Sequence, residues 1–188
     1  MDSFEPQSLA RLKNHLTASL ARTSMLLSGM TPSTDWIDLA VLLETAVGAA
    51  REAGKLLLEY ARSGFRVHHK KHPINLVTDA DHAAEQLIIS RIRDQFPMHG
   101  ILAEEQGRVE QSPSPYLWII DPLDGTTNFA HGHPVYCVSI GLEYRGRCIL
   151  GVVFDPSRDE LFTATEESSA QLNGQPISAS DTRILDAS

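Results

Sequence analysis

Cysteine is nearly absent from this chain, with only Cys137 and Cys148 in 188 residues. Two thiols cannot build a disulfide framework, and none has thiolate partners at the short spacing of a sulfur-rich metal site. Both fall in an apparent hairpin, V-Y-C-V-S-I-G-L-E-Y and R-C-I-L-G-V-V-F around Arg145-Gly146. That turn pairs Tyr144 with Arg147, and counting outward puts Cys137 opposite Phe154 and Cys148 opposite Glu143. No disulfide follows from such pairing, and buried, reduced thiols suit a cytoplasmic protein. Long apolar runs are missing too. No stretch approaches the roughly 18 residues of a membrane span, and Met25-Leu26-Leu27 is too short for the apolar core of a signal peptide. Cations are outnumbered, 16 Lys and Arg against 24 Asp and Glu, and the formal charge of −8 disfavours broad nucleic-acid binding. Internal repeats, low-complexity segments and EF-hand loop spacing are all absent.

What is present is enough apolar material, 42% of the residues, for one sizeable core. Leu9, Leu12, Leu16 and Leu20 share a helical face before the break at Thr31-Pro32-Ser33-Thr34, so residues 1–34 read as an extension, helical or mobile. Residues 35–188 then read as one domain or a large part of one. A long amphipathic helix is expected from Trp36 to Arg62, with Leu39, Leu43, Ala46, Ala50, Ala53, Leu57 and Tyr60 as its stripe. A second helix opens near Thr78 and carries Ala84, Leu87, Ile88 and Ile92 before Pro97. Beyond residue 130 the hairpin, a strand near Leu161 to Thr165 and an Asn173-Gly174 turn read as an antiparallel meander. Two helices laid on a mixed, mainly antiparallel sheet make an α+β fold. Such a sheet leaves an edge or a face unprotected, which favours association.

The most informative stretch is W-I-I-D-P-L-D-G-T-T-N-F, Trp118 to Phe129. Trp118, Ile119 and Ile120 suit a strand covered on both faces, ending at Asp121. Pro122 supplies no N–H and biases Asp121 towards extended dihedrals, so the ladder is expected to stop there. Asp124 returns three residues later, Gly125 can take positive φ, and Thr126-Thr127 stand where a following helix offers N–H groups to an anion. Taken alone, D-x-x-D-G is ordinary turn chemistry. The whole string points instead to a cation carrying a phosphate.

Upstream, G-I-L-A-E-E-Q-G places Glu104-Glu105 at another strand end, where an acidic pair is most often a solvated rim. Oxygen ligands from two strand ends, without nearby Cys or ordered His spacing, favour a hard cation, Mg²⁺ before Ca²⁺ or Zn²⁺. Thr78 and Asp81 fit an S/T-x-x-D capping pair. Asp81 also has a functional reading, polarising a water or holding a further metal, and the two roles are compatible. The basic patch His68-His69-Lys70-Lys71-His72 is either a solvated loop or a phosphate-steering segment.

In their order and spacing, L-V-T-x-A-D, A-E-E and W-I-I-D-P-L-D-G-T-T-N-F resemble the inositol monophosphatase family. G-V-V-F-D-P and L-N-G-Q-P-I-S-A-S extend the likeness from about Trp36 to about Ser180. The resemblance implies the layered sugar-phosphatase fold, with the C-terminal α/β layer and its W-D-x-A-A/G aspartate missing from these 188 residues. It implies that Glu104, Asp121, Asp124 and the Leu123 carbonyl ligate Mg²⁺, and that Glu104 and Thr126 activate the attacking water. Asp81 would help position that water, and Glu104, Leu123, Asp124, Gly125 and Thr126 would meet the substrate. Lys70 sits nearest a lysine common in the family, and Asn75 stands where many relatives have aspartate. The activity implied is Mg²⁺-dependent hydrolysis of a small-molecule phosphate monoester, with inositol 1-phosphate the first candidate. Fructose 1,6-bisphosphate, histidinol phosphate and phosphoadenosine phosphates are alternatives within the family. A homodimer, often lithium-sensitive, is implied as well. The competing expectation is an incomplete member that binds metal or a partner without turnover.

Overall fold

The computed structural model describes residues 37–69, 76–109 and 114–181, and Leu39–Ser188 form one compact unit. The expected extension over residues 1–34 lies outside the described residues, as do Lys70, Lys71, His72 and Asn75.

Helix α1, Leu39–Ser63, begins three residues later than its apolar spacing suggests. Its buried stripe runs through Leu39, Leu42, Ala46, Ala49, Ala50, Ala53 and Leu57, so Leu42 replaces the expected Leu43. The short side chains let the helix approach the sheet closely. At Gly54 an added Cβ would stand 2.6 Å from the Phe154 ring. A two-stranded ribbon follows, β1 (Val67–His69) antiparallel to β2 (Leu76–Thr78), and leads into α2, Asp79–Gln95. His68, on β1, is exposed and its Nε2 lies 2.8 Å from Asp79 Oδ1 at the start of α2. That contact draws the Asp79 carboxyl below its ordinary pKa. The His68 end of the basic patch is therefore tied into structure.

The remaining strands are β3 (Gly100–Ala103), β4 (Gly107–Val109), β5 (Tyr116–Asp124), β6 (Cys137–Tyr144), β7 (Arg147–Asp155), β8 (Glu160–Thr165), β9 (Ser168–Leu172) and β10 (Gln175–Pro176). They form one eight-stranded sheet in the order β10-β9-β8-β7-β6-β5-β3-β4, antiparallel throughout except for β3 beside β5. The α+β class expected from the sequence is the observed one. Both long helices lie against the sheet, α1 on β6 and β7 and α2 on β5. Trp118, Ile120, Val138, Ile140, Leu142, Leu150 and Val152 make the buried side of this layer.

Three sequence expectations are corrected here. The run Trp118-Ile119-Ile120 is not covered on both faces: Trp118 and Ile120 are buried, whereas Ile119 is 38% exposed and its neighbour Leu102 is 37% exposed. Among the described residues the long helices pack on one face only, so burial alternates with period two. The hairpin register also differs. Tyr144 does face Arg147 and Glu143 faces Cys148, but a bulge at Leu142/Glu143 leaves Ile149 without a partner. Beyond it the pairing shifts by one, so Val138 rather than Cys137 faces Phe154. The thiols are not buried either, since Cys148 is exposed and Cys137 half-buried. Among the described residues no helix is long and apolar enough to cross a membrane.

The junction between α2 and β3 is locked by an aromatic cluster that the sequence reading left out. His99 stacks between Phe96 and Tyr116, with ring centroids 4.8 and 4.5 Å away. Trp118 donates its indole N–H to His99 Nδ1 at 3.0 Å, which fixes the other ring nitrogen as the protonated one. Burial, with a smaller push from Arg93, lowers the His99 pKa to about 4. A folded pKa below the unfolded 6.5 means that the neutral ring supports the fold above that value. This support is lost as pH falls from about 6.5 to about 4. We expect urea unfolding to show His99→Phe lacking that part of the acid destabilisation, on the order of 2–3 kcal/mol. An acid limb identical to that of the original chain would contradict the assignment.

Candidate metal centre

Strands β3 and β5 run parallel with Leu102 opposite Ile119 and Ala103 opposite Ile120. Continued by one residue, that register sets Glu104 beside Asp121. Both carboxylates therefore leave the sheet at the same end, one from each strand. Glu104 is exposed in the turn after β3, and Asp121 is half-buried.

The β5 ladder breaks after Asp121, which pairs with Ser139, as expected of a strand reaching Pro122. It does not end there: pairing resumes between Asp124 and Cys137. In the break, the Leu123 N–H turns back to Asp121 Oδ1 at 3.2 Å. This small turn brings Asp124 back to the same end of the sheet. Gly125 follows at φ +97°, and an added Cβ would meet the Val135 carbonyl oxygen at 2.9 Å. Only glycine combines that dihedral with so close a backbone. The chain then enters the short helix α3, Thr126–Ala130.

Thr126 is tied to two elements. Its Oγ1 lies 3.1 Å from Asp81 Oδ1 and 3.0 Å from the Leu123 carbonyl, both acceptors for the one hydroxyl proton. Asp81, 1% exposed, uses its other oxygen to accept from the Thr78 N–H at 2.7 Å and from the Thr78 hydroxyl. Thr78 Oγ1 in turn accepts from the Ala80 and Asp81 N–H groups. Asp81 is thus at once the N3 residue of a capping box and the partner of Thr126. Burial raises its pKa, against the opposing hydrogen bonds from Thr78 and Thr126.

Electrostatics mark Asp121 most strongly. Burial, then the charge of Glu104 and a hydrogen bond with it, then Asp124, push its carboxyl from 3.8 up to about 7, while the Leu123 N–H works the other way. Crowded carboxylates of this kind are relieved by a cation, and an all-oxygen donor set suits a hard divalent ion. These residues therefore fit Mg²⁺ in donor chemistry. Among the described residues, however, no three acidic, His or Cys side chains converge tightly enough to form a ready-made cage.

The structure thus brings Asp81, Glu104, Asp121, Leu123, Asp124, Gly125 and Thr126 to one end of the sheet. It also adds residues that the sequence reading missed. Cys137, beside Asp124 in the ladder, has its Sγ 3.9 Å from Asp124 Oδ2, and burial and the surrounding aspartates raise its pKa to about 11. Glu85 is 0% exposed on α2 and accepts hydrogen bonds from the turn that carries Glu104. A signal for Glu85 existed, because spacing from Asp81, Ala84, Ile88 and Ile92 places it on the buried face of α2.

The sequence profile of the inositol monophosphatase family matches residues 38–188. The chain belongs to this family. It is 45% identical to the inositol-1-monophosphatase of Synechocystis sp. over 151 residues, covering 80% of this chain and 53% of that protein. It is 44% identical to the Nus factor SuhB of Escherichia coli K12, over 77% of this chain and 55% of the relative. In structure it resembles the extragenic suppressor protein SuhB of Bartonella henselae, with TM-score 0.73, 37% identity, and coverage of 76% and 56% of the two chains. It also resembles an IMPase/NADP phosphatase complexed with Mg²⁺ and phosphate, with TM-score 0.63, 26% identity, and coverage of 73% and 51%. The chain spans about half the length of the curated relatives it matches.

The raised Asp121 pKa has a defined effect on the metal-free protein. Because the folded pKa lies above the unfolded one, the fold retains a proton that the unfolded chain releases between about pH 4 and about pH 7. Stability from this group therefore falls as pH rises through that window. With EDTA present, Asp121→Asn should remove this slope and be relatively more stable than the original chain at pH 8 than at pH 4, as read by urea midpoints. An unchanged difference between those pH values would count against the crowding.

Proposed function

We propose that this site hydrolyses a phosphate monoester in a Mg²⁺-dependent reaction, with inositol 1-phosphate as the substrate. The observation that carries the reading is the crowding of Asp121 by Glu104 and Asp124 at the ends of two neighbouring strands. Glu104, Asp121, Asp124 and the Leu123 carbonyl would hold the ion. Bound there, Mg²⁺ supplies charge neutralisation for the phosphate and makes a water proton easier to remove.

The chain's own groups account for the rest. With its proton committed to Asp81 Oδ1 or to the Leu123 carbonyl, the Thr126 hydroxyl keeps a lone pair with which to orient a water. Glu104 would accept that water's proton as the water attacks phosphorus, while the ester P–O bond breaks and the leaving oxygen takes a proton from solvent to depart as the alcohol. Asp81 fixes Thr126 and thereby the direction of approach. The Asp124-Gly125-Thr126 segment meets the phosphate, and Gly125 permits the positive-φ turn that carries the chain from Asp124 into Thr126. Positioning and electrostatics supply the acceleration, and no covalent phosphoenzyme is required. The same reading assigns a small-molecule phosphate monoester as ligand, no nucleic-acid partner, a cytoplasmic homodimer, and residues 35–188 as the domain that follows an extension over residues 1–34.

A second reading is an incomplete site that binds metal or a partner without turnover, and the match to only about half the length of the curated relatives supports it. One experiment separates the two. Mg²⁺-dependent phosphate release from inositol 1-phosphate is measured for the chain as it stands and for a form extended with a family C-terminal half, while calorimetry follows Mg²⁺ binding. We expect release that Asp121→Asn abolishes without unfolding the protein. Unchanged turnover in Asp121→Asn would sink the site assignment, and Mg²⁺ binding without release would select the second reading.

A further inference from the structure

Glu85 is a buried carboxylate that the proposed chemistry leaves unused. It has no solvent exposure, and it sits one helical turn after Asp81 on the same face of α2. Its Oε2 accepts from the Glu105 backbone N–H at 2.8 Å, and its Oε1 accepts from Gln106 Nε2 at 2.9 Å. Both oxygens are thus engaged by the turn that begins at Glu104.

The residue type matters. Two donors point at this position, and an ionised carboxylate is the side chain that only accepts. A glutamine would have to aim an NH₂ group at one of those donors. An apolar side chain would join Ala84 and Ile88 in the core, yet leave the Glu105 N–H without its partner. Burying a carboxylate is costly unless hydrogen bonds satisfy it, so its presence here marks what it holds. What it holds is the backbone immediately after Glu104.

We propose that Glu85 is a positioning residue of the metal centre: it fixes the Glu104-Glu105-Gln106 turn against α2 and so keeps the Glu104 carboxylate beside Asp121. Asp81, four residues earlier, holds Thr126 from the same helix. Two carboxylates on successive turns of α2 therefore set the spacing between the two halves of the site. The inference rests on the reading of Glu104 and Asp121 as Mg²⁺ ligands.

The test uses the full 188-residue chain, with Mg²⁺ alone titrated by calorimetry and amide hydrogen exchange followed at Glu105 in EDTA. Glu85→Gln keeps the volume but spoils the acceptor pattern. Gln106→Leu removes the second hydrogen bond from an exposed position, and it carries the test if Glu85→Gln does not fold. Both are expected to speed Glu105 exchange and to weaken Mg²⁺ binding about 10-fold or more, the usual effect of losing an outer partner of a metal ligand. Because Glu85 acts through Glu104, Glu85→Gln combined with Glu104→Gln should bind no more weakly than Glu104→Gln alone. Faster Glu105 exchange with undiminished Mg²⁺ affinity overturns the inference, and so do losses that simply add. If the unmodified chain binds no Mg²⁺, the metal-centre reading fails and takes this inference with it. That outcome is distinct from a chain that binds Mg²⁺ and variants that bind it equally well.

Discussion

The parallel pairing of β3 with β5 is the constraint on which the site depends. Every other pairing in the eight-stranded sheet is antiparallel, and an antiparallel neighbour would have sent the residue after Ala103 to the far end of β5. With Ala103 opposite Ile120, two chains leave the sheet side by side and each releases a carboxylate as it goes. Trp118 and Ile120 sit buried under α2 and pin β5 in that register, because a slip of one residue would bring the exposed Ile119 to the helices and turn Trp118 outward. The hydrophobic layer thus decides where Asp121 stands, although its side chains contribute no atom to the proposed chemistry.

Helix α2 supplies the second dimension. Its capping box fixes where the helix begins, and therefore where Asp81 lies relative to Thr78 and Thr126. The stacked His99 and its contacts with Phe96, Tyr116 and Trp118 fix where the chain turns back into β3. Between these anchors the helix behaves as a strut whose first two turns touch both sides of the site. A polar group in a core is tolerated when every donor and acceptor is satisfied, and among the described residues no buried side-chain nitrogen or oxygen lacks a partner.

Much of this was legible in the sequence, for physical reasons that differ by element. The long helices show in their apolar spacing and the capping pair in Thr78-x-x-Asp81. The turns at Arg145-Gly146 and Asn173-Gly174 show in their residue types, and all four residues do take positive φ. The parallel neighbour of β5 left no such trace, because pairing partners are chosen by tertiary packing and not by either strand alone. The bulge at Ile149 was invisible for the same reason, and its one-residue shift put Val138 instead of Cys137 opposite Phe154. Glu85 drew no reading from the sequence, where the general rule is that a glutamate on a helix faces water. On an apolar stripe that rule fails, and the acceptor count of the neighbouring turn explains why.

The electrostatic strain at the strand ends follows from the same architecture. Bringing Asp121 half under the surface with Glu104 and Asp124 nearby works against folding at neutral pH, since the ionised form of Asp121 is disfavoured there. A chain selected for stability alone would place serine or asparagine at one of those positions. The fold bears the arrangement because the core behind it does not share the strain: Trp118, Ile120, Ile140 and Val152 pack beneath the sheet, and the Leu123 N–H offsets part of the crowding at Asp121. A divalent ion reverses the sign of the local field, so the residues that oppose folding without it are those that would favour the ion-bound form. On the proposed reading, affinity for a hard cation and reduced stability without one would be two consequences of a single placement of carboxylates, set by the register of β3 against β5.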